Sequence, residues 1–255
     1  MKFRALLYFA FSVLAVSTVS GAEISIAAAS DLKFCMDEII VAFKSGHAEA
    51  VVNVTFGSSG NFAAQIREGA PFDLFFSADS EYPRALAEDG FAASPPVPYA
   101  VGRIVLWSAT VDASKMTLAD LARPEIAKIA IANPQHAPYG KRAEQALRAS
   151  GLWDQVQQKL VLGENIAQTA QFVQSGNAQA GIIALSLALN PELAGKGGYY
   201  LIPDTLHEPL QQAFVITRRA ADNELANAFA DYMQGGDARK LMVHYGFALP
   251  GEAPH

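Results

Sequence analysis

The stretch FGSSGNFAAQIREGAPFDLFFSAD, residues 56–79, decides how this chain is read. It runs from the end of a strand into a loop of small hydroxyl residues, then an amphipathic helix, a Gly69-Ala70-Pro71 break, a buried apolar strand and a second polar turn. Ser58 and Ser59 stand where the strand stops and the helix starts. A helix start leaves backbone N–H groups without partners, and the macrodipole adds partial positive charge there. A loop of small hydroxyl residues at that point is built to receive an anion. The same construction occurs upstream in IAAASDLKFCMDEIIVAFK, residues 26–44, where Ser30 follows an apolar strand and opens a helix.

Outward from this stretch, strands and helices alternate. Strands are predicted over 23–28, 51–56 and 73–77, and helices over 30–44, 61–68 and 81–88, a βαβαβα series with a mostly parallel sheet. ASPPVP, residues 93–98, holds three prolines that neither a helix nor a central strand tolerates. The first crossing between two lobes is placed there. A strongly apolar strand is read over 99–107. A second series follows, with strands over 128–132, 159–162 and 180–184, and helices over 117–121, 140–149 and 167–174. A loop is read over 190–198 and a strand returning toward the first lobe over 199–202. The series closes with a strand over 212–217 and helices over 221–233 and 238–244. The fold class is therefore α/β with two lobes: 23–99 and 203–255 form the first, and 100–202 the second. Two crossings leave a cleft at the ends of both sheets, where ligands bind in such folds.

Residues 1–22 read as an export signal. Lys2 and Arg4 precede an apolar run over 5–16, and Ser20-Gly21-Ala22 offers small residues for cleavage after Ala22. The run is too short to span a membrane comfortably. Cleavage leaves 233 residues. The formal net charge of −6 becomes −8 once Lys2 and Arg4 are gone. That balance argues against nucleic acid and anionic membrane surfaces as partners. It also gives an anion no bulk attraction, so local donors must hold it. The one cysteine, Cys35, lies on the apolar stripe Leu32, Cys35, Met36, Ile39, Ile40, Phe43. It reads as a buried, inert thiol rather than a nucleophile.

Four segments share one grammar of apolar strand, small polar turn and helix. They end at Ser30, at Ser58-Ser59, at Pro138-Tyr139-Gly140 and at Asn165-Ile166. If the four helix starts face the cleft, their N–H groups and hydroxyls converge on a tetrahedral dianion. Each hydrogen bond to a charged group contributes roughly 1.5–3 kcal/mol. Each residue alone has a plainer reading: Ser is a common helix cap, Tyr139 suits a turn after proline, and Ile166 suits a core.

The segments AAAS at 27–30, SSGNFAAQIREGAP at 58–71, DLFFSAD at 73–79, IANPQHAPYGKRAEQAL at 131–147 and GENIAQTAQFVQSGNAQAGI at 163–182 resemble the periplasmic molybdate-binding proteins of ABC importers. The resemblance rests on their order and spacing and runs through most of the chain. It implies a type II-like two-lobe periplasmic binding fold. It further implies capture of molybdate, with tungstate as a close analogue, by a monomer that delivers it to a membrane permease and, through that, to an ATPase. No chemistry on the ligand and no resident cofactor are implied; the molybdenum travels inside the cargo anion. Ser30 and Ser59 match the family's two serine ligands, and Tyr139 and Ile166 match positions that donate backbone N–H groups. Many members carry a ligand tyrosine where this chain has Ala184, and the Tyr139 phenol is the candidate replacement.

Asp31 is awkward beside a dianion. Its plainer role is to cap the first helix, with its oxygen turned away from the ligand. Its sharper role is to accept a proton from the ligand, which would favour phosphate over molybdate or sulfate. Sulfate or phosphate is the runner-up cargo. A different class is raised by Ser30-Asp31-Leu32-Lys33, which satisfies the S-x-x-K pattern of serine acyl-transfer enzymes. The partner motifs Ser-Asp-Asn and Lys-Thr-Gly are absent from the sequence, which counts against it. The five histidines are scattered without metal-ligand spacing.

Overall fold

The computed structural model describes residues 23–251. The export signal read over 1–22 lies outside them. The chain begins with β1 (Glu23–Ala29), a 3-10 turn at Ser30–Leu32 and α1 (Lys33–Lys44). Next come β2 (Val51–Gly57), α2 (Ser59–Arg67), β3 (Leu74–Ser77), α3 (Glu81–Glu88), β4 (Val97–Gly102) and β5 (Ile104–Trp107). The middle of the chain forms β6 (Ile129–Ala132), α4 (Pro138–Ala149), α5 (Trp153–Val156), β7 (Leu160–Gly163) and α6 (Ile166–Gln174). It continues through β8 (Ala180–Ala184), α7 (Leu185–Ala188), α8 (Pro191–Ala194) and β9 (Tyr199–Leu201). β10 (Leu210–Ile216), α9 (Glu224–Gln234) and α10 (Gly236–His244) complete it.

These strands form two five-stranded sheets, ordered β2-β1-β3-β10-β4 and β7-β6-β8-β5-β9. The two orders match. In each, the first strand of a parallel trio lies between the other two, and the strand that has just crossed from the other lobe pairs antiparallel with the third.

The first sheet is packed on both faces, so its strands alternate between two cores. Ile24, Ile26 and Ala28 of β1, Leu74 and Phe76 of β3, and Phe214 and Ile216 of β10 face α1, α9 and α10. Ala27, Phe75 and Val215 point the other way, onto Phe62, Ala63 and Ile66 of α2 and Leu86 of α3. Cys35 belongs to the first of these cores. Its thiol lies 3.7 Å from the Met242 sulfur, and burial pushes its pKa far up. The second lobe has its own core around Ile104–Trp107, Ile129–Ala132 and Ala180–Ala184.

The apolar run over 99–107 is two strands rather than one. Gly102 pairs with Leu210 in the first sheet, and Ile104 pairs with Ala184 in the second. The chain therefore changes sheets at Arg103, downstream of the proline segment where the crossing was expected. The proline segment instead leads into β4, whose Val97 and Pro98 pair with β10. Gly102, the last residue before the break, lets Tyr139 and Gln212 approach the strand, because a Cβ there would overlap the Tyr139 hydroxyl and the Gln212 amide. The strand at 199–201 does not return to the first lobe. It is an edge of the second sheet, antiparallel to β5. The loop read over 190–198 contains α8, started by Pro191 and by the Asn190 side chain accepting from the Glu192 N–H at 2.8 Å. Among the described residues, no helix is long and apolar enough to cross a membrane.

Candidate functional site

Where the two sheets meet, four helix starts close on one cavity. Its empty volume is about 190 Å³, and Ala29, Ser30, Asp31, Gly57, Ser58, Ser59, Ala78, Ala137, Pro138, Tyr139 and Ile166 line it. All six residues singled out from the sequence are among them. Even with the open solvent at its mouth counted, this space is too small for a drug-sized ligand, and it suits a small ion. The described lining contains no lysine or arginine.

Each lining residue is held by local structure. Ser58 is the N-cap of α2 and Ser59 its first residue. The Ser59 hydroxyl accepts from the Ala78 N–H at 3.0 Å, which ties the start of α2 to the end of β3. Pro138 occupies the first position of α4, where a missing N–H costs nothing, so Tyr139 and Gly140 carry the next amides. Gly140 lets α4 start hard against β6, since a Cβ there would overlap the Ala132 carbonyl. Asn165 caps α6 by accepting from the Gln168 N–H at 3.0 Å, leaving Ile166 as the first helical amide. Ser30 is 1% exposed. Its hydroxyl donates to Asn165 Oδ1 at 3.1 Å and accepts from the Ala167 N–H at 3.2 Å, so it joins the lobes.

Asp31 does not cap a helix through its side chain. It lies in the 3-10 turn, 1% exposed, and its Oδ2 accepts from the Tyr139 hydroxyl at 2.9 Å and from Gln212 Nε2 at 2.8 Å. Its Oδ1 has no hydrogen-bond partner. Its main-chain carbonyl accepts from the Ser186 hydroxyl at 2.8 Å. Burial raises the carboxyl pKa to about 6, against the Gln212 and Tyr139 hydrogen bonds and the nearby Asp31 and Leu32 N–H groups, which favour the charge. The Tyr139 phenol is thus engaged with Asp31 and Gln212 rather than standing in for the tyrosine missing at Ala184. Burial and the Asp31 charge hold that phenol well above its usual pKa.

Sequence reading missed several residues around the cavity. Gln212 receives the Tyr99 hydroxyl at 2.6 Å on its Oε1 and passes its Nε2 to Asp31. A glutamine inside the otherwise apolar strand LQQAFVI was the one available signal, and it named no partner. His136 lies at the rim, with Nδ1 3.0 Å from the Ser58 hydroxyl and its carbonyl accepting from the Gly60 N–H at 2.9 Å. Arg142, one turn into α4, is 3.5 Å from Asp79 and 3.2 Å from Glu208, and donates to the Pro209 carbonyl. Lys33, by contrast, lies 5.4 Å above the Phe34 ring and lines a separate hollow. Ser30 takes its partners from α6 instead, so no Ser–Lys pair forms.

Two α/β lobes closed over an ion-sized cavity lined with helix starts define a solute-binding protein. The chain belongs to the family of bacterial extracellular solute-binding proteins, whose sequence profile matches residues 24–248. It is 37% identical over 230 residues to the molybdate-binding protein ModA of Azotobacter vinelandii, covering 90% of this chain and 91% of that one. It is 35% identical over 208 residues to the ModA of Rhodobacter capsulatus, covering 80% and 79%. The solved periplasmic molybdate-binding protein of Azotobacter vinelandii superposes with a TM-score of 0.84 at 32% identity, over 89% of this chain and 99% of that one.

Proposed function

We infer that this protein is exported to the periplasm, its leader cleaved after Ala22. There it captures molybdate between its lobes, with tungstate as a close analogue. Ser30 and Ser59 give hydroxyl and backbone donors, the Ser30 hydroxyl by exchanging its bond to Asn165 for one to the anion; Tyr139 and Ile166 give backbone N–H groups, and Ser58 and Asp31 complete the wall. Hinge closure traps the ion, and the monomer hands it to an ABC permease served by its ATPase. The observation that carries this reading is the convergence of four helix starts on one small cavity whose lining holds no cation. Neutral donors fixed by helix geometry suit a dianion whose shape must be selected. The likeness to two molybdate-binding relatives supports the choice of ion.

A second reading is favoured by one feature. Asp31 lines the cavity with an unpartnered oxygen, and hydrogen phosphate carries a proton that Oδ1 accepts. Calorimetric titration with molybdate, tungstate, sulfate and phosphate separates the two. Tight binding of the first two alone is expected. Tight binding of phosphate, with none of molybdate, would keep the lobes and overturn the cargo.

A further inference from the structure

The cavity wall is made of donors, with one exception. Ser59 brings a hydroxyl proton not used by the protein, Ser30 brings one now given to Asn165 Oδ1 that must be exchanged to reach the anion, Ser58 brings a hydroxyl beside His136, and the helix starts bring N–H groups. Asp31 is the single acid among the described lining residues. An ionised carboxylate there would present an acceptor and a negative charge to an anion that offers only acceptors.

The hydrogen bonds of Asp31 fix how it resolves this conflict. Oδ2 already receives two donors, the Tyr139 hydroxyl and Gln212 Nε2. The Gln212 amide is itself oriented by the Tyr99 hydroxyl on its Oε1. A neutral carboxyl has one oxygen that only accepts and one that carries the proton. With Oδ2 filled by donors, the proton belongs on Oδ1, which is buried and has no protein partner. Protonated, Asp31 joins the other donors.

Among the described residues no cation contacts the carboxyl; what favours its ionised form is the Gln212 and Tyr139 hydrogen bonds and the Asp31 and Leu32 N–H groups, and burial outweighs them. The titratable groups that face Asp31 are Tyr139 from α4, Tyr99 from β4 and Cys35 from α1. Burial holds all three neutral. α7 and β10 contribute the neutral Ser186 and Gln212. Lys33 is turned to the Phe34 ring.

We propose that Asp31 serves the anion site as a neutral carboxylic acid whose Oδ1–H donates to an anion oxygen, so that each dianion enters together with one proton from solvent. This deepens the oxyanion reading and rests on it. The carboxyl of the protein alone, at about 6, sets where the coupling starts. Below that pH the proton is already in place. Above it, binding must take up a proton, and affinity falls by roughly tenfold per pH unit.

The test is calorimetric titration with molybdate between pH 5.5 and 8.5, in paired buffers of different ionisation enthalpy. For the wild-type protein, uptake approaching one proton per anion is expected at the alkaline end, with the matching decline in affinity. Asp31→Asn, which presents an N–H donor without a charge to lose, is expected to bind with no proton uptake and a flat profile. Wild-type binding that is flat with pH and takes up no proton overturns the proposal and leaves the oxyanion reading standing. So does an Asn variant with the wild-type slope. Absence of molybdate binding across the whole range removes both readings at once. The wild-type buffer series decides the matter even if the variant fails to fold.

Discussion

Asp31 carries a cost as well as a role. Its folded pKa of about 6 lies above the ordinary carboxylate value of 3.8. Below about pH 3 the carboxyl is neutral in folded and unfolded chains alike, and its burial costs no ionisation. As pH rises through that window the unfolded chain ionises first and gains. Above pH 6 the folded state bears the full penalty, on the order of 3 kcal/mol. Asp31→Asn is therefore expected to raise the melting temperature of the ligand-free protein at pH 8 and to leave it near wild type at pH 3. Equal destabilisation at both pH values would show that the charge is not the source. Tyr139→Phe removes one of the two donors on Oδ2, at about 1–2 kcal/mol of stability. Because that bond lowers the Asp31 pKa, its loss is expected to move the pH midpoint of anion binding above the wild-type value. An unmoved midpoint would mean the phenol does not sense the carboxyl. Ser30, Ser58, Ser59, Tyr139 and Ile166 were legible because each stands at a local strand-to-helix switch. Gln212 and His136 were not, because their partners come from elsewhere in the sequence: Gln212 meets Asp31 across 181 residues, and His136 meets Ser58 across 78.

At the level of elements, strand and helix alternation was readable from periodicity, and most boundaries fall within a few residues of expectation. The run at 99–107 was misread because both of its halves are buried, each in a different sheet. An apolar pattern records burial without recording which core does the burying. The site depends on how closely α4 approaches β6. Gly140→Ala forces a methyl onto the Ala132 carbonyl, so the start of α4 must retreat from the cavity. Overpacking of this kind costs about 1–3 kcal/mol. Anion affinity is expected to drop at least roughly tenfold, a further cost of about 1.4 kcal/mol in binding. Gly151→Ala, at φ +71 beyond the far end of the same helix, is the matched control. It is expected to lower stability by about 1–2 kcal/mol through left-handed strain while leaving affinity intact. Equal affinities in the two variants would detach the helix start from the site.

For the whole molecule, the contacts that hold the lobes together ring the cavity. Ser30 meets Asn165, Ser58 and Gly60 meet His136, Asn61 meets Glu164, and Asp79 meets Arg142. An anion that adds bonds to the same helix starts favours the closed arrangement. Molybdate is expected to reduce the radius of gyration in X-ray scattering. At a thousand times its Kd it is expected to raise unfolding free energy by about 4 kcal/mol, read as a higher melting temperature. No compaction and no thermal shift would argue against capture by closure. The matched strand orders bear on biogenesis as well. The second sheet uses only strands between Ile104 and Leu201, a continuous segment. The first sheet lacks its penultimate strand until Leu210–Ile216 arrives, and β3 and β4 have no direct pairing without it. A chain emerging N-terminus first therefore holds its leading third as unfinished edges while the middle third completes its own sheet. The last strand works as a keystone: the half of the molecule that is synthesised first is the half that sets last.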